Sequence, residues 1–193
     1  AMELPEYMAQ FGYDSGRLYT QDVMEALEEI TAEEFGKGGL VRFYYRPYVY
    51  LDDEAIEAAG LDRDEVRETL ALALTREPGI HLAATRRMME GWPDKKLLNQ
   101  IRNNYHPARA GDIYLVQNPY WYNFDKGPVA SMHGSPWSYD THVPLLFVVP
   151  GHSQSQVHRA VQPADLAPTL ATLLGMTPPA SAQGTTLPEV ILP

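Results

Sequence analysis

Six histidines are the side chains of this sequence best suited to hold a metal or move a proton, because it contains no cysteine and imidazole is the commonest protein metal ligand. Four of them have ordinary surroundings. His81 falls in a predicted strand, His106 precedes Pro107, and His152 and His158 stand in a Ser/Gln-rich stretch at a spacing with neither helical nor hairpin logic. These read as structural or solvated. His133 differs, because Gly134 directly after it lets the backbone turn tightly and approach a metal or phosphate, and Ser135-Pro136 then fixes the exit direction. Asp140-Thr141-His142 follows within ten residues, just before an apolar run. From residue types alone, His133 is either a metal ligand or a solvated turn residue, and His133, Asp140 and His142 together are candidates for a self-contained metal site. Thr169 is the residue most like a nucleophile by type, yet it lies mid-helix without an adjacent base and reads as structural.

Whatever site exists must be positioned by a chain of 193 residues with 45% apolar content, long enough for one domain or a domain with a subdomain. The formal net charge of −10 argues against a nucleic-acid partner, since a phosphate backbone is met by clustered Lys and Arg, and Lys95-Lys96 is too small a patch. Any metal must use His, carboxylate, carbonyl or water. No apolar run approaches the ~20 residues of a membrane helix, so no membrane contact is expected. Ala1-Met2 has the look of an expression scar, which leaves the origin of the N-terminus and the compartment open.

The periodicities alternate between helix and strand. Thr20 is a predicted N-cap for a helix over about 21–35, with Val23, Met24, Leu27 and Ile30 on one face and glycines after it. Leu40–Arg46 and Tyr48–Leu51 are predicted strands separated at Pro47. Asp62 and Glu65 form a capping box for a helix with Val66, Leu70 and Leu74 inward, and Ile80–Thr85 is the next strand. Asp94 caps a further helix carrying Leu97, Leu98 and Ile101, followed by a strand over Asp112–Gln117. Residues 118–140 read as a long loop, the place where sites are often carried. Val143–Val149 is so uniformly apolar that it predicts a strand covered on both faces. A last helix begins at Asp165, runs through Leu173 with Pro168 in its first turn, and has Gly175 at its C′ position. Together these give an α/β chain.

The segment His133-Gly-Ser-Pro-Trp-Ser-Tyr-Asp-Thr-His-Val-Pro-Leu-Leu-Phe-Val-Val-Pro-Gly151 resembles the C-terminal zinc-ligand segment of the alkaline phosphatase superfamily, in its bacterial phosphatase/phosphodiesterase, nucleotide-pyrophosphatase-like branch. Asp165-Leu-Ala-Pro-Thr-Leu-Ala-Thr-Leu-Leu-Gly175 resembles a segment found near the C-terminus of phosphatase and sulfatase relatives, and Asn103–Pro107 and Gly111–Val116 extend the likeness more loosely. The resemblance covers nearly the whole chain, with its specific motifs between residues 103 and 175. It implies the C-terminal part of an alkaline-phosphatase-like α/β sandwich with an α-β-α-β insertion-type subdomain. The expected divisions are a lead-in over 1–19, an α/β subdomain over 20–106 and a core segment over 107–193.

In that family two zinc ions about 4 Å apart serve an in-line displacement on phosphorus. The resemblance implies His133 as the single metal ligand of this chain and Asp140 and His142 as supporting residues. It also implies a phosphate-ester substrate, a phospho-enzyme and a periplasmic or secreted enzyme. The family's Asp-x-x-x-His pair, Asp-His pair and early Asp with its nucleophile do not occur in the sequence, and residue 1 falls just after the place where the Asp-His pair would lie. The expected reading is therefore a C-terminal portion of a zinc-dependent phosphomonoesterase or phosphodiesterase, inactive by itself and prone to self-association through an exposed sheet edge. A non-catalytic binding or assembly module is the alternative from a different class.

Overall fold

The computed structural model describes residues 5–91, 95–124 and 133–191. The chain divides into two compact units, Ala1–His142 and Val143–Pro193. Within the first, α1 (Pro5–Ala9) and β1 (Gly16–Tyr19) lead into α2 (Thr20–Phe35), β2 (Val41–Tyr45) and β3 (Tyr48–Leu51). Then come α3 (Asp53–Ala59), α4 (Arg63–Leu74), β4 (Ile80–Thr85), α5 (Arg86–Gly91), α6 (Lys96–Asn103), β5 (Ile113–Gln117), β6 (Trp121–Phe124) and α7 (Ser138–Thr141).

Four strands form one antiparallel sheet in the order β2-β3-β5-β4. Strand residues alternate between its faces, and the packing follows that period of two. Ala83 of β4 with Ile113 and Leu115 of β5 face a core shared with Leu27 of α2 and with Val66 and Leu70 of α4. Ala84 and Val116, one residue out of step, face a second cluster with Met89 of α5 and with Leu98 and Ile101 of α6. Helices thus cover both faces. β1 and β6 pair separately, as a parallel two-stranded ribbon in the register Gly16↔Trp121 to Tyr19↔Phe124.

Local chemistry explains the helix starts. The Asp62 carboxylate accepts the Glu65 N–H at 2.9 Å and opens α4, and Asp52 does the same for α3 through the Ala55 N–H at 2.9 Å. The α2 helix begins at the predicted cap itself, one residue earlier than expected, with Thr20 its first residue and Tyr19 at the N-cap position. The predicted cap Asp94 lies outside the described residues, as do Ala1 and Met2.

The second unit contains a 3-10 turn at Pro163–Asp165, α8 (Leu166–Leu173) and α9 (Pro188–Ile191). Gly175 follows α8 with φ 65°, the left-handed turn predicted for it. One expectation fails here. Val143–Val149 is not a strand, and Leu146 and Val148 are 84% and 99% exposed. A strand exists only where neighbouring backbone N–H and C=O groups form its ladder, and among the described residues the run has only a local turn bond, from the His152 N–H to the Val149 carbonyl at 3.2 Å. An apolar sequence specifies the wish for two neighbours without supplying them.

Candidate functional site

A cleft of about 300 Å³ opens at the turn end of the β2–β3 hairpin, within the size range of small-molecule sites. Tyr45, Arg46 and Pro47 form one wall, β5 and β6 the floor, and the His133–Pro136 turn with Asp140 the other wall. The wall of the hairpin is tied to β6 at two points. Tyr44 Oη donates to Asn123 Oδ1 at 2.8 Å, and Arg46 Nη1 donates to the Asn123 carbonyl at 2.9 Å. The Leu115 N–H donates to the Pro47 carbonyl at 2.8 Å, which fixes the hairpin turn on the floor.

The opposite wall is built around the His-Gly turn. Gly134 has φ 104°, a conformation that L side chains rarely adopt, so the turn after His133 requires glycine. The Asp140 carboxylate accepts the Ser135 N–H through Oδ2 at 2.6 Å and closes the turn from the far side. The Trp137 indole Nε1–H donates to the Gln117 carbonyl at 3.0 Å and pins the segment to β5. The Tyr120 N–H donates to the Tyr139 hydroxyl at 2.9 Å, a further tie between the two ends of the long connection. His133 is thereby presented, exposed, on a turn whose backbone is held from two sides.

Two phenols stand in the floor. Burial pushes the Tyr114 hydroxyl up, partly offset by its hydrogen bond with Asn104, and burial pushes Tyr122 up against the pull of Arg17. The cleft is thus lined by the guanidinium-bearing Arg46, by Tyr45, Tyr114 and Tyr122, and by Asn104 and Asn123, beside the imidazole of His133. That set suits a polar, hydrogen-bonding ligand.

The candidate residues are only partly brought together. His133 and Asp140 line the same cleft, whereas His142 is exposed and is not part of its lining. Among the described residues no three His, Asp or Glu side chains are grouped so as to share a metal ion. The trio His133, Asp140 and His142 is thus not assembled into a self-contained site: Asp140 is engaged by the Ser135 amide, and a catalytic zinc takes three protein ligands. Among the described residues no complete zinc site is present.

Of the other histidines, His81 packs edge-on against Trp137 with centroids 4.9 Å apart, and His106 Nδ1 accepts the Ala108 N–H at 3.2 Å within its turn. His158 is exposed. His152 departs from the solvated reading, because both ring nitrogens are closed to solvent and have no hydrogen-bond partner among the described residues. Thr169 is fully buried and bonded to backbone on both sides, as a structural residue would be. What sequence reasoning missed was the far wall of the cleft, since Arg46, Asn104 and Asn123 come from three separate elements and share no spacing. Only the Asn103–Pro107 likeness pointed near it.

No family model matches the chain. A protein of Myroides odoratus named calcium-transporting ATPase is 30% identical over 188 residues, which are 97% of this chain and 34% of that protein. Alkaline phosphatase PafA of Elizabethkingia meningoseptica is 26% identical over 176 residues, 90% of this chain and 32% of the relative. Alkaline phosphatase PhoV of Synechococcus elongatus is 25% identical over 144 residues, 74% of this chain and 26% of the relative. The crystal structure of wild-type alkaline phosphatase PafA superposes with a TM-score of 0.85 at 23% identity, over 99% of this chain and 36% of that one, a likeness that bears on the fold. The chain spans about a third of the length of the curated relatives it matches best in extent.

Proposed function

Because the chain belongs to the alkaline phosphatase superfamily and corresponds to about a third of a member's length, we propose that it is the C-terminal portion of a zinc-dependent phosphate-ester hydrolase and supplies His133 as one metal ligand. The observation that carries this reading is the His133-Gly134 turn itself. It is held by the Asp140 carboxylate on the Ser135 amide and faces a polar cleft, which is how a single ligand has to be presented if its partners come from elsewhere.

Zinc, when bound in such a site, stabilises negative charge on phosphoryl oxygens and on the departing alkoxide. The residues of this chain have simpler tasks. His133 would hold the metal through a ring nitrogen, Asp140 would keep the turn in place, and the cleft wall around Arg46, Asn104 and Asn123 would receive the organic part of the ester. Phosphomonoester or phosphodiester hydrolysis through a phospho-enzyme, with the nucleophile outside this chain, completes the reading. An exported location follows the family. Among the described residues no helix is long and apolar enough to cross a membrane. The bare Val143–Val149 run supports self-association of the isolated chain, and a clean monomer by light scattering at high concentration would count against that.

The decisive experiment is hydrolysis of nitrophenyl phosphate and of its diester by this chain, with and without added zinc. No turnover in either case is the expected result. Zinc-dependent turnover abolished by His133→Ala would mean that a complete site exists within these residues and would overturn the one-ligand reading.

A further inference from the structure

A second cleft, of about 450 Å³, lies at the open end of the β2–β3 hairpin, opposite the turn that borders His133. Four arginines line it: Arg42 from β2, Arg63 and Arg67 from successive turns of α4, and Arg86 from the start of α5. In a chain of net charge −10 with 15 basic residues in all, this is an uneven distribution of positive charge. Two carboxylates, Asp53 and Asp112, share the lining, and both are engaged. Asp53 pairs with Arg63 Nε, while Asp112 accepts Arg63 Nη2 at 2.7 Å and the Leu51 N–H at 2.9 Å. Arg63 is therefore a structural arginine that fixes the floor.

The other three keep donors to spare. The Arg42 guanidinium has no hydrogen bond or ion pair among the described residues. Arg86 pairs with Glu90 four residues on, at 2.7 Å, both side chains more than half exposed. Arg67 pairs with Asp64 at 2.9 Å, and its Nε lies 3.7 Å from Glu68, too far for a hydrogen bond, so that buried N–H has no acceptor. An exposed pair such as Arg86–Glu90 contributes little and is readily exchanged for a better acceptor. A guanidinium fork matches phosphate oxygens two at a time, and several forks facing one cavity suit a phosphate dianion better than a single carboxylate. The stacked rings of Phe43 and Tyr50, 4.5 Å apart, wall one side, with Tyr105 on another.

We propose that this cleft is a binding site for a phosphate-bearing small molecule, held by Arg42, Arg67 and Arg86. It is separate from the cleft of His133, and the inference stands whether or not that histidine holds a metal. The Asn103–Pro107 segment borders both, since Asn104 lines the first cleft and Tyr105 and Pro107 the second.

The test is calorimetric titration of this chain with inorganic pyrophosphate at low salt, on the unaltered chain and on the variants R42Q/R86Q, Arg42→Glu and Arg46→Gln. Saturable binding is expected, weakened at least about tenfold in R42Q/R86Q by loss of charge-assisted hydrogen bonds and unchanged in Arg46→Gln, which alters the other cleft. Arg42→Glu guards against a folding artefact, because Arg42 has no partner whose loss could destabilise the chain, and it too is expected to weaken binding. Absence of binding at millimolar pyrophosphate would overturn the proposal. So would an equal loss in Arg46→Gln, which would place the anion in the first cleft or spread it over the surface.

Discussion

The two units of the chain are held together by different physics. In Ala1–His142 the buried groups are overwhelmingly apolar, with Leu27, Val66, Leu70 and Leu74 of α2 and α4 fully closed to solvent against β4 and β5. In Val143–Pro193 the organising residues are polar. Asp165 accepts the N–H groups of Gln162 at 2.9 Å and Thr185 at 2.8 Å, and the Thr169 hydroxyl donates to the Asp165 carbonyl at 2.6 Å while accepting the Leu187 N–H at 3.0 Å. These bonds fasten the chain around residues 184–187 to α8. Meanwhile Leu146, Val148 and Leu174 are 84%, 99% and 71% exposed. Apolar burial grows with every residue added to a core, whereas a hydrogen-bond knot mainly removes a penalty, so the first unit carries stability and the second carries shape.

The sharpest consequence is functional, because the proposed ligand belongs to the first unit. On the proposed reading, His133→Ala in the full-length protein is expected to lower phosphatase kcat by orders of magnitude and to reduce zinc content, while His158→Ala, an exposed site in the second unit, leaves both unchanged. Comparable losses from the two would end the assignment of His133.

Stability separates the units next. Leu70→Ala removes a fully buried side chain between α4 and the sheet and should destabilise the first unit by about 2–5 kcal/mol. All three tryptophans precede residue 143, so intrinsic fluorescence during urea unfolding watches that unit alone. Thr169→Val is the milder counterpart. It keeps the shape but leaves the Leu187 N–H and the Asp165 carbonyl short of a partner, at a cost of about 1–3 kcal/mol. Its effect should appear as faster amide exchange at Leu187 with an unmoved fluorescence transition. A fluorescence shift from Thr169→Val as large as that from Leu70→Ala would show that the units unfold as one.

The same contrast explains what could be read from the residues. Where a pattern is local and apolar it suffices: Val66, Leu70 and Leu74 behind the Asp62 cap define α4, and the β-strand bounds Ile80–Thr85 come out as expected. β6 was hidden in a stretch that reads as loop because its partner is β1, about a hundred residues earlier in the chain, and no local period reports a non-local parallel pair. Val143–Val149 misled in the other direction, since its composition describes an environment that these residues do not themselves provide. At the site, His133-Gly134 was visible because glycine's conformational freedom leaves a mark in sequence. Asp140 was visible only as a companion, and its grip on the Ser135 amide required the fold. The four arginines of the second cleft come from three elements, and only Arg63 and Arg67 show a helical spacing.

The smallest effect concerns acid, and it distinguishes two kinds of carboxylate within the second unit. Backbone N–H groups of Gln162 and Thr185 hold the Asp165 carboxyl below the ordinary range, and the Arg159 guanidinium holds Glu189 down at about 2. A carboxylate whose pKa falls on folding binds fewer protons folded than unfolded. Its stabilisation is therefore complete above the ordinary value of about 4 and is lost as the pH drops through the folded value. The second unit should thus loosen between about pH 4 and 2, seen as faster exchange at Leu187 and Thr185. Salt then separates the causes. The Arg159–Glu189 pair is solvent-exposed and its effect should shrink in concentrated salt, moving Glu189 back toward the usual range. Asp165 is held by fixed N–H donors in the 162–165 turn and at Thr185, which salt does not screen in the same way, so its titration should stay low. An Asp165 carboxyl that titrates by NMR at the ordinary value in low salt would mean that the knot organising this unit is not formed.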